Sequence, residues 1–181
     1  KGEIQALEKI TLQSKAIHQE GLLKANTIHL NAETLTQKGI IQTQSDFILA
    51  INTVHQEGLI SSEKSIQIKT PIFTNNGQLI AADQININNL ELHNHGLISS
   101  QEKITVKNKI AINNKNIETK DLEMSLVLFK NNGEMNLTNS SIKAKKMIQS
   151  GTLWTNNEQN YDLKEWVNQG TIHTGKNINI K

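Results

Sequence analysis

Large aliphatic residues return along this chain at a spacing no helix would use. Counting from each glycine slot as position 1, position 3 reads Ile4, Leu23, Ile41, Ile60, Leu79, Ile98, Ile117, Met135, Leu153 and Ile172. Position 5 reads Ala6, Ala25, Thr43, Ser62, Ala81, Ser100, Thr119, Leu137, Thr155 and Thr174, small in every case but Leu137. Mostly polar residues stand between these columns, so the period is two, the mark of a strand with one buried face. A second alternation follows in pairs such as Phe47/Leu49, Ile66/Ile68, Ile85/Ile87 and Ile104/Val106. A looser third runs through Ile17, Leu35, Val54, Ile72, Leu90/Leu92 and Ile110/Ile112. Each repeat therefore predicts two clear short strands and a third, weaker one. Apolar residues at i, i+3, i+4 and i+7 are missing throughout, which excludes a helical repeat.

The slots themselves are Gly2, Gly21, Gly39, Gly58, Gly77, Gly96, Lys115, Gly133, Gly151 and Gly170, successively 18 or 19 residues apart. Two residues before a slot stands a side-chain amide every time: Gln19, Gln37, Gln56, Asn75, Asn94, Asn113, Asn131, Gln149 and Asn168. Amides stacked in register donate and accept along the stack, as in cross-β ladders. The expected fold is all-β, a right-handed parallel β-helix of about nine and a half coils of 18–19 residues, one coil per repeat. At about 4.8 Å per coil it would be a rod on the order of 45 Å long. Residues 1–181 form a single repeat domain, and because the pattern is already running at the first residue, the chain is expected to be a piece of a longer rod. The glycine is expected to serve a turn at positive φ, and position 5 is expected to point into a tight interior corner.

Composition narrows the chemistry. Cysteine is absent, so neither disulfides nor thiolate metal sites hold the chain together. All 19 basic residues are lysine, the net charge is +2 and aromatics are 3%. Without arginine forks or a stacking surface, nucleic acid is not an expected partner. No apolar run approaches membrane-spanning length, so the segment is not expected to be membrane-inserted.

Three histidines, His18, His55 and His93, share position 17 of alternate coils. Stacking would hold them roughly 10 Å apart, too far for one metal, whose ligands lie about 2 Å from the ion. His93 and His95 lack a third ligand. Asp46, Asp83, Asp121 and Asp162 recur about every second coil, again too sparse for a pair of catalytic carboxylates about 5–10 Å apart. No residue is assigned a reaction, and no cofactor or metal is expected. Calcium-binding nonapeptides are absent. Position 2 carries Leu22, Ile40 and Leu59, then Gln78, then Leu97, an apolar stripe expected to be half covered at a corner.

The ninth coil departs from the pattern. "WTNNEQNYDLKEW" runs from Trp154 to Trp166, and its middle strand reads Gln159, Asn160, Tyr161, Asp162 where apolar residues belong. A local bulge or a cover for the core is one expectation here. Trp154, Tyr161 and Trp166 are also the candidate surface-contact residues, since exposed aromatics favour interaction sites.

The columns, seen in "TNNGQLIAADQININ" and "NHGLISSQEKITV", resemble the haemagglutinin-type repeats of filamentous haemagglutinin-like exoproteins of Gram-negative bacteria. The resemblance covers essentially the whole chain. It implies a rod segment of a large secreted, cell-surface protein, an adhesin or the stalk of a contact-dependent growth-inhibition toxin. It also implies an outer-membrane partner transporter for the full-length protein and a possible receptor on host or bacterial cells. No "NPNG"-like secretion motif or toxin-like module lies within these residues. The alternative expectation is a carbohydrate-active β-helix enzyme or a tailspike-like glycan-binding module.

Overall fold

The computed structural model describes residues 2–181 and shows a β-solenoid of stacked parallel coils, about 9 turns in all. No helix occurs among the described residues. One coil shows the plan: strands Leu59–Ser62, Ile66–Ile68 and Ile72–Asn75 lie on three successive faces. Each strand pairs in parallel with its copies one coil before and after, as Ile60 does with Ile41 and Leu79. The third alternation, weakest in the sequence, forms a full face whose strands end on the amide residue.

Alternation places the core. Positions 3 and 5 are buried from Leu23 and Ala25 through Leu153 and Thr155. The pairs Phe47/Leu49, Ile66/Ile68 and Ile85/Ile87 close the second side, and Leu35, Val54, Phe73, Leu92 and Phe129 the third. Position 5 is small because its side chain sits inside the corner and bonds the turning backbone. Thr43 Oγ1 donates to Ser45 O at 2.8 Å, and Ser100 Oγ donates to Asp83 O at 2.8 Å. The extra residue of a 19-residue coil is absorbed at this same corner, where the pairing shifts between Ser100 and Lys103. Further along, strands fuse around the corners, so Asn116–Asn131 and Glu134–Gln149 each run unbroken over three faces.

The glycine column needs a different explanation from a turn conformation. Among the described residues no residue, glycine or otherwise, has positive φ, and Lys115 fills the slot within the ordinary region. What glycine supplies is close approach. A Cβ on Gly58 would lie 2.1 Å from Gly39 O, and one on Gly133 2.0 Å from Lys115 O. Backbones stack so tightly at this corner that a methyl group would overlap the carbonyl below.

The ninth coil is corrected as well. Gln159–Asn168 is a continuous strand pairing in register with Ser140–Gln149, so there is no bulge. Gln159 and Tyr161 point inward where aliphatics stand elsewhere, and the geometry survives because their polar tips meet partners there. Ser140 Oγ bonds Gln159 Oε1 and lies 3.3 Å from Tyr161 Oη, while Gln159 Nε2 donates to Asn157 O at 2.9 Å.

Candidate functional site

Of the three aromatic candidates, the fold leaves one on the surface. Tyr161 is only 2% exposed, and Trp166 packs against the core with its ring 6.5 Å from that of Tyr161, edge to face. Neither offers a contact surface, because the strand they occupy alternates like any other and sends Tyr161 inward. Burial pushes the Tyr161 phenol up to about 12, only partly opposed by its hydrogen bond with Ser140. Trp154 is different: it sits at position 4, faces outward, and is 45% exposed.

Register builds its surroundings. Ser99, Glu118, Asn136, Trp154 and His173 occupy the same position of five successive coils and pair in turn. His173 lies flat against one face of the indole, with centroids 3.7 Å apart and planes 10° from parallel. The groove beside this column has a volume of about 520 Å³ and runs back from Trp154 across the corner. Its floor is made by the buried position-5 residues Ser100, Thr119 and Leu137. Gln101, Lys120, Thr138 and Asn156 form the opposite wall. Lys120 is held by Glu102 at 3.1 Å, and that hydrogen bond raises its pKa. The sequence reading missed His173. Its signal was available, since it stands one repeat after Trp154 in the same column.

The amide column is the other site read from the sequence. Its side chains point inward: Gln19 through Gln149 are buried, whereas Asn168 is exposed, and the ladder has ended before it. Asn75 donates to Asn94 Oδ1, Asn94 to Asn113 and Asn113 to Asn131, each at 2.8 Å, and Asn131 to Gln149 at 3.1 Å.

The remaining candidates stay apart. His18, His55 and His93 do share a column, separated by Thr36 and Thr74. His93 Nε2 lies 3.2 Å from Glu91 Oε2, and His95 Nδ1 lies 3.3 Å from Asn114 Nδ2. The aspartates bind neighbouring coils. Asp46 Oδ1 accepts from Ser65 N, Asp121 Oδ1 from Asn139 Nδ2, and Asp162 pairs with Lys143. Among the described residues no three His, Cys, Asp or Glu side chains converge as a metal site. Of the position-2 stripe, Ile40 is exposed and Leu22, Leu59 and Leu97 are half-buried. Comparison with protein-family models, curated proteins and solved structures returns no match.

Proposed function

We propose that this chain is a shaft segment of a large secreted bacterial surface exoprotein, an adhesin or the stalk of a contact-dependent growth-inhibition protein. The observation that supports the reading is the unbroken register. Every coil is a template for the next, so length is gained by repetition without a new core. Such a segment acts mechanically: it holds a distal domain away from the cell and offers a long flank to host or neighbouring cells. An outer-membrane partner transporter would carry the full-length protein to the surface. Charged side chains serve the stacking, with Lys103–Glu123 at 2.6 Å and Lys146–Glu165 at 2.6 Å each tying one coil to the next.

Removal of one whole coil tests the reading. Deleting residues 78–96 joins Gly77 to Leu97 and should keep the fold, shorten the particle by about 5 Å in X-ray scattering, and leave display of the distal domain intact. A glycan-cleaving activity in the purified chain, seen as new reducing ends, would overturn the shaft reading in favour of an enzyme.

A further inference from the structure

We propose that the corner groove ending at Trp154 binds an extended, neutral oligosaccharide lying along the rod axis. The inference rests on the groove alone and is independent of the shaft reading.

A pyranose ring presents flat patches of C–H and a rim of hydroxyls that both donate and accept. Its recognition asks for a planar aromatic surface beside groups with the same double capacity. Trp154 supplies the plane. With His173 against one face of the indole, the other face looks back along the rod into the groove. The walls supply the rest: the amides of Gln101, Asn136 and Asn156 and the hydroxyls of Ser99 and Thr138. From Ser99 to Trp154 is three coil rises, about 14 Å, and each coil repeats the same wall positions. A chain of similar units therefore finds a similar step at every coil.

Other ligand classes fit less well. The groove's charges are Glu118 and Lys120, of opposite sign, and Lys120 is already paired with Glu102, so an anionic polymer gains little. A peptide would seek free backbone groups at a sheet edge. Here the groove crosses strands whose backbones are paired on both sides. The equivalent groove at coils one to four, lined by Gln5, Leu7, Gln42 and Gln44, has the amides but no aromatic plane, and Leu7 stands almost fully exposed there. It serves as an internal control.

The test uses the full chain with cellohexaose, maltohexaose and chitohexaose as neutral probes and a heparin hexasaccharide as the anionic one. In a Trp166→Phe background, Trp154 is the sole fluorescence reporter. At least one neutral probe should shift its emission, and calorimetry should show affinity falling roughly tenfold in Trp154→Ala and several-fold in His173→Ala. Leu7→Ser in the control groove should change nothing. If Trp154→Ala loses its cooperative melt, the pair Gln101→Ala and Asn156→Ala carries the same expectation. Absence of binding by all three neutral probes, binding indifferent to these wall substitutions, or binding of the heparin probe alone would each overturn the proposal.

Discussion

The amide column is built in two ways within one rod, and a single methylene separates them. In the first coils, Gln19, Gln37 and Gln56 bind mainly backbone. Gln37 Nε2 donates to Gly39 O at 2.7 Å and Leu59 O at 3.1 Å, while its Oε1 accepts Gly58 N–H at 3.1 Å. Gln56 repeats this with Gly58, Gln78 and Gly77. From Asn75 onward the shorter side chain reaches the next amide instead, and each donor points towards the carboxy-terminal end. The Gln run has one such link, from Gln37 to Gln19, pointing the other way. The two patterns meet between Gln56 and Asn75, and Asn75 Oδ1 is left buried without a partner. Side-chain length thus selects between stapling coils through the backbone and chaining side chains to one another.

The largest expected effect is one that ignores this difference. Gly58→Ala in the Gln half and Gly133→Ala in the Asn half both push a methyl onto a stacked carbonyl. Neither backbone can retreat without breaking its ladder, so each should lose about 3 kcal/mol or more in urea unfolding. Unequal losses would mean that the halves differ in backbone packing and not only in the amide pattern. Within the column, Asn94→Ala should cost about 3 kcal/mol, because the Nδ2 faces Gly96 O, Asn113 Oδ1 and Asn116 O at once. Gln37→Ala should cost about 1 kcal/mol less, since most of its partners are backbone groups with other bonds. The reverse order would break the comparison.

Tyr161 sharpens the contrast from outside the column, as a buried polar tip without copies above and below. Its folded pKa is raised to about 12 from the usual 10, so the unfolded chain ionises first. The stabilisation from keeping the phenol neutral is complete below pH 10 and is lost as pH rises towards 12. A shift of this size corresponds to about 2–3 kcal/mol. Lysines titrate in the same range, so the measurement is the difference between the parent and Tyr161→Phe, which should lack this loss. Parallel pH profiles for the two would remove Tyr161 from the account.

Repetition made most of this fold legible in the sequence. Position 3, position 5 and the amide column each recur nearly every coil, and a buried column must repeat because each coil packs on the last. Glycine misled, because letters alone do not separate a turn at positive φ from a backbone held too close for a Cβ. Tyr161 misled for a related reason. Polarity suggested the surface, while the strand's period of two, still readable as Gln159, Tyr161 and Leu163, assigned it inward. The aromatic site was half visible. Trp154 stood out as a lone aromatic in an outward column, but the stack with His173 requires knowing the register between coils.

The smallest expected effect tests the junction itself. Gln56→Asn should place a donor where Asn75 Oδ1 now has none and extend the Asn chain by one coil, at the expense of the bond to Gly77 N–H. Gln37→Asn makes the same chemical change inside the Gln run, where it loses the link to Gln19 and the bond to Gly58 N–H and repairs no orphan. Both variants shorten a buried side chain equally, so the common cavity cost cancels between them. Gln37→Asn should therefore be the less stable by about 1 kcal/mol, the worth of one buried hydrogen bond. Equal urea midpoints would show that the orphaned oxygen at the junction costs nothing, and that the column tolerates its change of pattern without a penalty.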